Sequence, residues 1–230
     1  MGACDVVGSA LFVVAIGLAS LLPYTIALCG CCLGMCLPRG CQKAYNTSLS
    51  RLLLRLTGFC WRAALLCCCW IRFEELDLQD ADTDSAKERI GSSGRPVVVV
   101  SNHTSFMDVL FLTSQFPLSP LGKVKMFVSG HVFKMPVFGR LTTGMGHLAV
   151  PFKSNSTGAF ELDKELLAQR QELMEEFLHE GGIPAWFPEG TVNRVNPYEL
   201  ATFRAGGFKL AVENDVEIWC IVHCGNATCW

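Results

Sequence analysis

The chain has 230 residues, which is enough for one substantial domain with an appendage. Half of the residues are hydrophobic, 17% are charged and the mean hydropathy is +0.34, so a fully soluble protein is not expected. The net charge is −2, and residues 1–73 hold six of the 19 basic side chains beside a single acidic one. The rest of the chain is therefore acidic, which argues against a nucleic-acid-binding surface.

An uncharged apolar segment at residues 6–37 is the first predicted element. It is longer than the ~20 residues that a membrane-spanning helix needs. Because no Lys or Arg precedes it, the pattern favours a membrane anchor over a cleaved signal peptide. The basic residues that follow predict contact with anionic lipid head groups and place the rest of the chain on the cytosolic side.

Residues 50–73 form a second apolar segment, in which Arg51, Arg55 and Arg62 recur on one helical face. Such a helix is expected to lie along the membrane interface. The two segments can form a hairpin, a spanning helix with a surface helix, or two surface helices, and the sequence does not choose between them.

Ten of the 13 cysteines lie between Cys4 and Cys69, where small apolar packing is their expected role. Their spacing is a poor match for a zinc site, and disulfides are not expected in a cytosol-facing body. We therefore predict no metal site.

A charged stretch that becomes rich in Gly and Ser, residues 74–96, predicts a linker before the body. The body is then predicted as strands alternating with helices: strand 97–100, helix 106–116, helix 160–180, strand 183–187, helix 203–214 and strand 217–223. This alternation is typical of an α/β fold with a largely parallel sheet flanked by helices, here preceded by N-terminal membrane-associated helices. The predicted domains are an anchor with interfacial helices at 1–73, the linker, and a catalytic domain at 97–230 whose C-terminal end could lie beyond Trp230.

The first candidate site follows the strand of four valines, at residues 102–108. His103 and Asp108 would not share a face of a regular helix, but the imidazole can reach the carboxylate if His103 lies just before the helix. Such a carboxylate fixes the tautomer of the histidine and leaves its other ring nitrogen free to accept a proton, as a general base must. Ser105 keeps a serine mechanism open, and helix capping is the commoner role of such a pair.

The second candidate site is the turn at residues 187–191, which ends another predicted strand. Gly190, Thr191 and the nearby Arg194 offer amide, hydroxyl and guanidinium groups to an anionic substrate. Glu189 would orient a neighbouring group or a substrate hydroxyl. Taken alone, the turn also fits a simple strand end.

Together, the blocks at 102–108 and 187–191 resemble those of the glycerolipid acyltransferases of the lysophosphatidic acid acyltransferase type. Segments 136–140 and 200–211 are also similar to that family. The similarity covers roughly residues 95–225, and the joint match is far more specific than either block alone.

This resemblance implies that His103 and Asp108 are the catalytic residues. The residues that it assigns to substrate binding are Glu189, Gly190, Thr191, Lys153, Arg194 and Arg140. Two of them depart from the family pattern, because Lys153 stands where many relatives have an arginine and Arg194 comes two positions later than usual. A lysine neutralises a phosphate but lacks the two-pronged geometry of a guanidinium.

The activity that the resemblance implies is transfer of a fatty acyl group from acyl-CoA to a lysophospholipid, above all 1-acyl-sn-glycerol-3-phosphate, to give phosphatidate. Acyl-CoA would be a co-substrate and no cofactor is expected, while membrane lipids are the expected partners. The expected location is the endoplasmic reticulum or another internal membrane. Alternatives are another lysophospholipid or glycerol 3-phosphate as acceptor, CoA-independent transacylation, and a non-catalytic lipid-binding protein.

Overall fold

The computed structural model describes residues 3–72, 74, 90–154, 160–193, 196 and 198–225. Its helices are α1 Ala3–Cys36, α2 Arg39–Cys67, α3 Asp108–Gln115, α4 Leu118–Leu121, α5 Phe138–Gly144, α6 Lys164–His179 and α7 Gly206–Glu213, with a 3-10 turn at Val132–Lys134. Its strands are β1 Val97–Ser101, β2 Val124–Ser129, β3 Leu148–Val150, β4 Phe152–Ser154, β5 Phe160–Leu162, β6 Ile183–Trp186 and β7 Glu217–Ile221.

The first two helices form a hairpin, one of the three arrangements that the sequence left open. Gly30 near the end of α1 faces Leu49 near the start of α2, and Gly8 faces Trp70 beyond the end of α2, so the helices run antiparallel. Among the described residues, Val7–Cys36 is the one stretch long and apolar enough to cross a membrane.

Large apolar side chains of this hairpin are exposed, which is consistent with membrane association. On α1 and α2 they are Val7, Leu11, Val13, Val14, Leu18, Leu21, Leu22, Leu33, Met35, Leu52, Phe59 and Leu66.

Two arginines of α2, Arg55 and Arg62, bind the body of the protein. The placement of this helix along the membrane interface stays a prediction. Arg62 donates from Nε to the Ser114 carbonyl at 2.6 Å and from Nη2 to the Phe116 carbonyl at 2.8 Å. These carbonyls lie at the end of α3, where unpaired C=O groups attract a positive charge. Arg55 contacts the Ser119 carbonyl of α4 in the same way, at 3.4 Å. The helix therefore docks on α3 and α4 through its basic face.

Five of the strands form one sheet in the order β3-β2-β6-β1-β7, and every neighbouring pair is parallel. Strands β4 and β5 form a separate antiparallel pair. The predicted α/β fold with a parallel sheet is thus confirmed. Strand β1 lies inside the sheet with β6 on one side and β7 on the other, which puts the carboxyl ends of these three strands next to each other.

Both faces of β1 are covered, as its unbroken run of valines predicts. Val97 and Val99 pack with the hairpin residue Leu53 and with residues of α3. Val98 points to the opposite face, where it packs with Leu178 of α6 and with α7. The sheet therefore lies between the hairpin side and a layer made of α6 and α7.

Two predicted helices are shorter than their sequence patterns indicated. The segment 160–180 contains β5 and then α6, because the Asp163 carboxylate caps α6 by accepting from the Leu166 N–H at 3.1 Å. The helix predicted at 203–214 begins at Gly206. Most of the predicted linker, residues 75–89, lies outside the described residues.

A part-buried histidine, His147, gives the fold a pH dependence. Burial lowers the pKa of His147 to about 4, and the charge of Lys125 adds to this effect; the His147 Nδ1 accepts from the Met126 N–H at 3.2 Å. The unfolded chain takes up this proton near pH 6.5, whereas the folded chain resists it until about pH 4. Stability is therefore fully present above pH 6.5 and is lost as the pH falls towards 4.

We expect the free energy of unfolding in detergent to fall by about 2 to 3 kcal/mol between pH 7 and 4.5 through this histidine. In His147→Gln, where the side chain keeps an acceptor but does not titrate, that part of the fall should disappear. Denaturant titrations at the two pH values measure the difference. The exposed His131 provides the control variant His131→Gln. If the free energy of unfolding fell by the same amount between pH 7 and 4.5 in both variants, the assignment to His147 would be wrong.

Candidate active site

The candidate site lies at the carboxyl edge of the sheet, where ligands bind in open parallel sheets. Three neighbouring strands each deliver one polar side chain just beyond their ends: His103 after β1, Glu189 after β6 and His223 after β7. The parallel neighbours of β1 thus bring together residues that are far apart in the sequence.

The structure brings His103 and Asp108 into contact. The His103 Nδ1 lies 3.0 Å from the Asp108 Oδ2. Residue 103 precedes α3 and Asp108 is the first residue of that helix, so the non-helical start lets the imidazole turn back over the carboxylate. This is the local geometry that the spacing of five residues requires.

Asp108 is fully buried, and its carboxylate is held by more than the imidazole. Its Oδ2 also accepts from the Thr104 N–H at 2.7 Å and from the Ser105 N–H at 2.9 Å. A buried carboxylate needs such donors to remain ionised, and the start of α3 adds a favourable dipole. The carboxylate is therefore a fixed acceptor for the ring proton of His103.

Ser105 has a structural role that competes with a nucleophilic one. Its side chain is only 5% exposed, and its Oγ accepts from the Met107 N–H at 3.1 Å. The hydroxyl thus supports the turn that leads into α3, and the geometry favours a histidine base over a serine nucleophile.

Glu189 holds the backbone of His103 in place. Its Oε1 accepts from the His103 N–H at 2.8 Å and its Oε2 from the Ala201 N–H at 3.2 Å. From the same turn region, the Asn193 N–H donates to the His103 carbonyl at 2.7 Å. Both peptide groups of His103 are therefore tied to the segment after β6, and Glu189, at 4% exposure, faces amides rather than the surface.

Two further contacts fix the position of the loop that carries His103. The rings of His103 and Phe187 stack with centroids 4.0 Å apart and an angle of 12° between their planes. The Asn102 side chain bridges β1 to the end of β7, since its Nδ2 donates to the His223 carbonyl at 2.8 Å and its Oδ1 accepts from the His223 N–H at 2.7 Å. Burial lowers the pKa of His223, and the Asp108 charge opposes this.

The arrangement makes His103 a competent proton acceptor. Because the ionised Asp108 can only accept, His103 Nδ1 must carry the proton, and Nε2 is left with its lone pair. The His103 side chain remains 16% exposed, so a substrate hydroxyl can approach it. This is the chemistry of a general base that acts on a hydroxyl group.

A family model described as Acyltransferase matches residues 77–223, a range that contains the whole of this site. The chain belongs to the acyltransferase family. The curated relatives include 1-acyl-sn-glycerol-3-phosphate acyltransferase LPAT1, chloroplastic, of Arabidopsis thaliana, which is 33% identical over 132 residues, 57% of this chain and 32% of that protein. A second, BAT2, chloroplastic, of Brassica napus, carries the same activity in its name and is 32% identical over 57% of this chain and 33% of its own length.

The acyltransferase chain thus spans about a third of the length of these curated relatives. Among solved structures, it is similar to the 1-acyl-sn-glycerophosphate (LPA) acyltransferase PlsC of Thermotoga maritima, with a TM-score of 0.56 and 14% identity. The alignment covers 93% of this chain and 71% of that one, and at this identity the likeness concerns the fold, including the N-terminal helices.

The residues assigned to substrate binding in this acyltransferase are less closely grouped than His103 and Asp108. Gly190, with φ at +72°, and the exposed Thr191 follow Glu189 in the turn after β6. Arg140 is exposed on α5, and Lys153 lies on β4 in register with Glu161 of β5. Arg194 lies outside the described residues. The roles of these residues in binding substrate stay predictions.

Some contributors to the site were not found from the sequence. Asn193 and Phe187 position His103, and the charge of Asp108 acts on the nearby His223. The sequence offers one signal for Asn193, which is that asparagine favours turns and this one follows the block at 187–191. His223 carried none, because its place depends on β7 lying beside β1.

Proposed function

We propose that the chain transfers a fatty acyl group from acyl-CoA to 1-acyl-sn-glycerol-3-phosphate, giving phosphatidate. The observation that carries the proposal is the His103–Asp108 contact at 3.0 Å, which leaves His103 Nε2 as a base at the open edge of the sheet. The names of the curated relatives support the choice of acceptor.

In the proposed step, His103 Nε2 takes the proton of the acceptor hydroxyl while the oxygen attacks the thioester carbonyl of acyl-CoA. The tetrahedral intermediate collapses, the C–S bond breaks and an ester remains on the acceptor. The imidazolium returns its proton to the leaving thiolate, which departs as free CoA. Asp108 stabilises the imidazolium throughout, because its buried negative charge lies against the ring.

We also propose that the reaction takes place at an internal membrane such as the endoplasmic reticulum, with the sheet on the cytosolic side. The exposed apolar side chains of α1 and α2 support attachment to a bilayer. Microscopy of a tagged chain, with protease protection of the tag, tests both statements. Location in a plastid, which the names of two relatives suggest for those proteins, would contradict the proposed organelle.

Purified protein in detergent should form a labelled ester from labelled acyl-CoA and 1-acyl-sn-glycerol-3-phosphate. The same assay is run with glycerol 3-phosphate and with other lysophospholipids as acceptors, and with a phospholipid in place of acyl-CoA as donor. If another acceptor or donor were turned over faster, that compound would be assigned as the substrate instead. Lipid binding without turnover of any combination of acyl donor and acceptor would indicate a non-catalytic protein.

A further inference from the structure

Arg204, within the segment 200–211 but not among the residues assigned to substrate binding, lies against the turn after β6. The Arg204 N–H donates to the Pro188 carbonyl at 2.8 Å. Its side chain covers Gly190, because a Cβ placed on Gly190 would lie 2.6 Å from Arg204 Nε and 2.8 Å from its Cδ. A side chain at position 190 would therefore meet the guanidinium, and the φ of +72° disfavours one in any case.

This arginine belongs to the segment that positions the base. Glu189 accepts from the His103 N–H and also from the Ala201 N–H, so the segment 201–204 is fixed at one end by Glu189 and at the other by Pro188. Arg204 thus lies against the turn that contains Glu189, the residue that accepts from the His103 N–H.

The guanidinium of Arg204 is available to a ligand. The residue is exposed, and within the described part of the chain no carboxylate forms an ion pair with it. Two other arginines are already engaged, since Arg62 binds the carbonyls at the end of α3 and Arg95 pairs with Asp215 at 2.9 Å. The nearest carboxylate in the turn, Glu189, is buried and committed to backbone amides.

We propose that Arg204 binds the phosphate of the acyl acceptor, an inference that rests on the proposed function. A planar guanidinium donates two parallel hydrogen bonds to a phosphate. Its place over Gly190 would hold that phosphate at a fixed distance from His103 Nε2, with the exposed Thr191 hydroxyl on the same turn. The phosphates of acyl-CoA have the same chemistry, so the experiment must separate the two.

Arg204→Gln and Arg204→Lys are compared with Lys209→Gln, which removes a nearby exposed charge that pairs with Glu213 at 3.6 Å. With Arg204→Gln, the KM for 1-acyl-sn-glycerol-3-phosphate should rise roughly tenfold to a hundredfold, the range for a lost hydrogen-bonded charge. The KM for acyl-CoA should change less than about twofold, Arg204→Lys should recover part of the loss, and Lys209→Gln should behave as the unchanged protein.

Equilibrium binding of labelled 1-acyl-sn-glycerol-3-phosphate in detergent, with 1-acylglycerol as the phosphate-free ligand, gives a second measurement that needs no turnover. Arg204→Gln should weaken binding of the phosphate-bearing lipid alone. Unchanged KM and unchanged binding would overturn the assignment, and so would a rise confined to the KM for acyl-CoA. Absence of turnover in the unchanged protein would overturn the proposed function, while the binding comparison still decides the role of Arg204.

Discussion

Replacing His103 with alanine is expected to lower the rate of acyl transfer by roughly a hundredfold to ten-thousandfold, the range attributed to a general base. The reason is that, among the described residues, His103 is the one histidine at this edge of the sheet whose Nδ1 pairs with a carboxylate, and this pairing leaves its Nε2 to accept a proton. The measurement is kcat with labelled acyl-CoA and 1-acyl-sn-glycerol-3-phosphate in detergent.

Asp108→Asn should lower kcat by a similar factor. One oxygen, Oδ2, accepts from the Thr104 and Ser105 amides and also contacts the His103 ring. An asparagine with its oxygen at this place lacks the negative charge that stabilises the imidazolium, and one with its NH₂ there loses both amide hydrogen bonds and favours the proton on the other ring nitrogen. His103 would then hold a proton where it needs a lone pair. The KM for the acceptor should change little, because the carboxylate does not face the substrate.

The exposed His179 on α6 gives the control variant His179→Ala, which should keep its rate within about twofold, as a surface change usually does. Thermal unfolding of all three variants separates a chemical loss from a folding defect. If folded His103→Ala retained more than about a tenth of the rate, the loss would be smaller than a general base supplies and the assignment would be wrong.

Glu189→Gln is the second change with a large expected effect. Both carboxylate oxygens accept from backbone N–H groups, and a glutamine would turn an NH₂ donor towards one of them. The His103 loop would shift, so kcat should fall roughly tenfold to a hundredfold. The free energy of unfolding should fall by about 1 to 3 kcal/mol, since a buried donor loses its partner.

The division between kcat and KM tells the two roles of Glu189 apart. A residue that positions His103 affects kcat and leaves the KM for the acceptor within about twofold, whereas loss of a uniform substrate contact raises KM. The exposed Glu172 of α6 provides the matched variant Glu172→Gln, which should change neither constant. A rise in KM for the acceptor at constant kcat would contradict the positioning role and indicate that Glu189 binds substrate.

Much of the fold was open to prediction because short periodic signals decide it. The four valines of β1 predict a strand buried on both faces, and the structure buries all four. The alternation of strands and helices predicts a parallel sheet. The contact of His103 with Asp108 was also accessible, since it depends on one local event, the start of α3 between the two residues.

The remaining parts of the site depend on contacts between distant segments. Glu189 reaches the His103 N–H across 86 residues of sequence, and it does so only because β6 lies next to β1. The same holds for Arg62, whose partners at the end of α3 lie more than 50 residues away. Side-chain type alone does not distinguish an arginine that faces lipid from one that caps a helix.

The hairpin of α1 and α2 has a further consequence for substrate choice. Phe12 of α1 and Trp61 of α2 share a buried cluster with Met107 and Phe111, which flank Asp108 on both sides in sequence. The hairpin thus packs against the residues on either side of Asp108, next to the loop that carries His103. If the chain acts as proposed on a lipid in a bilayer, this packing would set the depth of His103 relative to the lipid surface, and lipids would be selected by how far the reacting hydroxyl stands above the hydrocarbon.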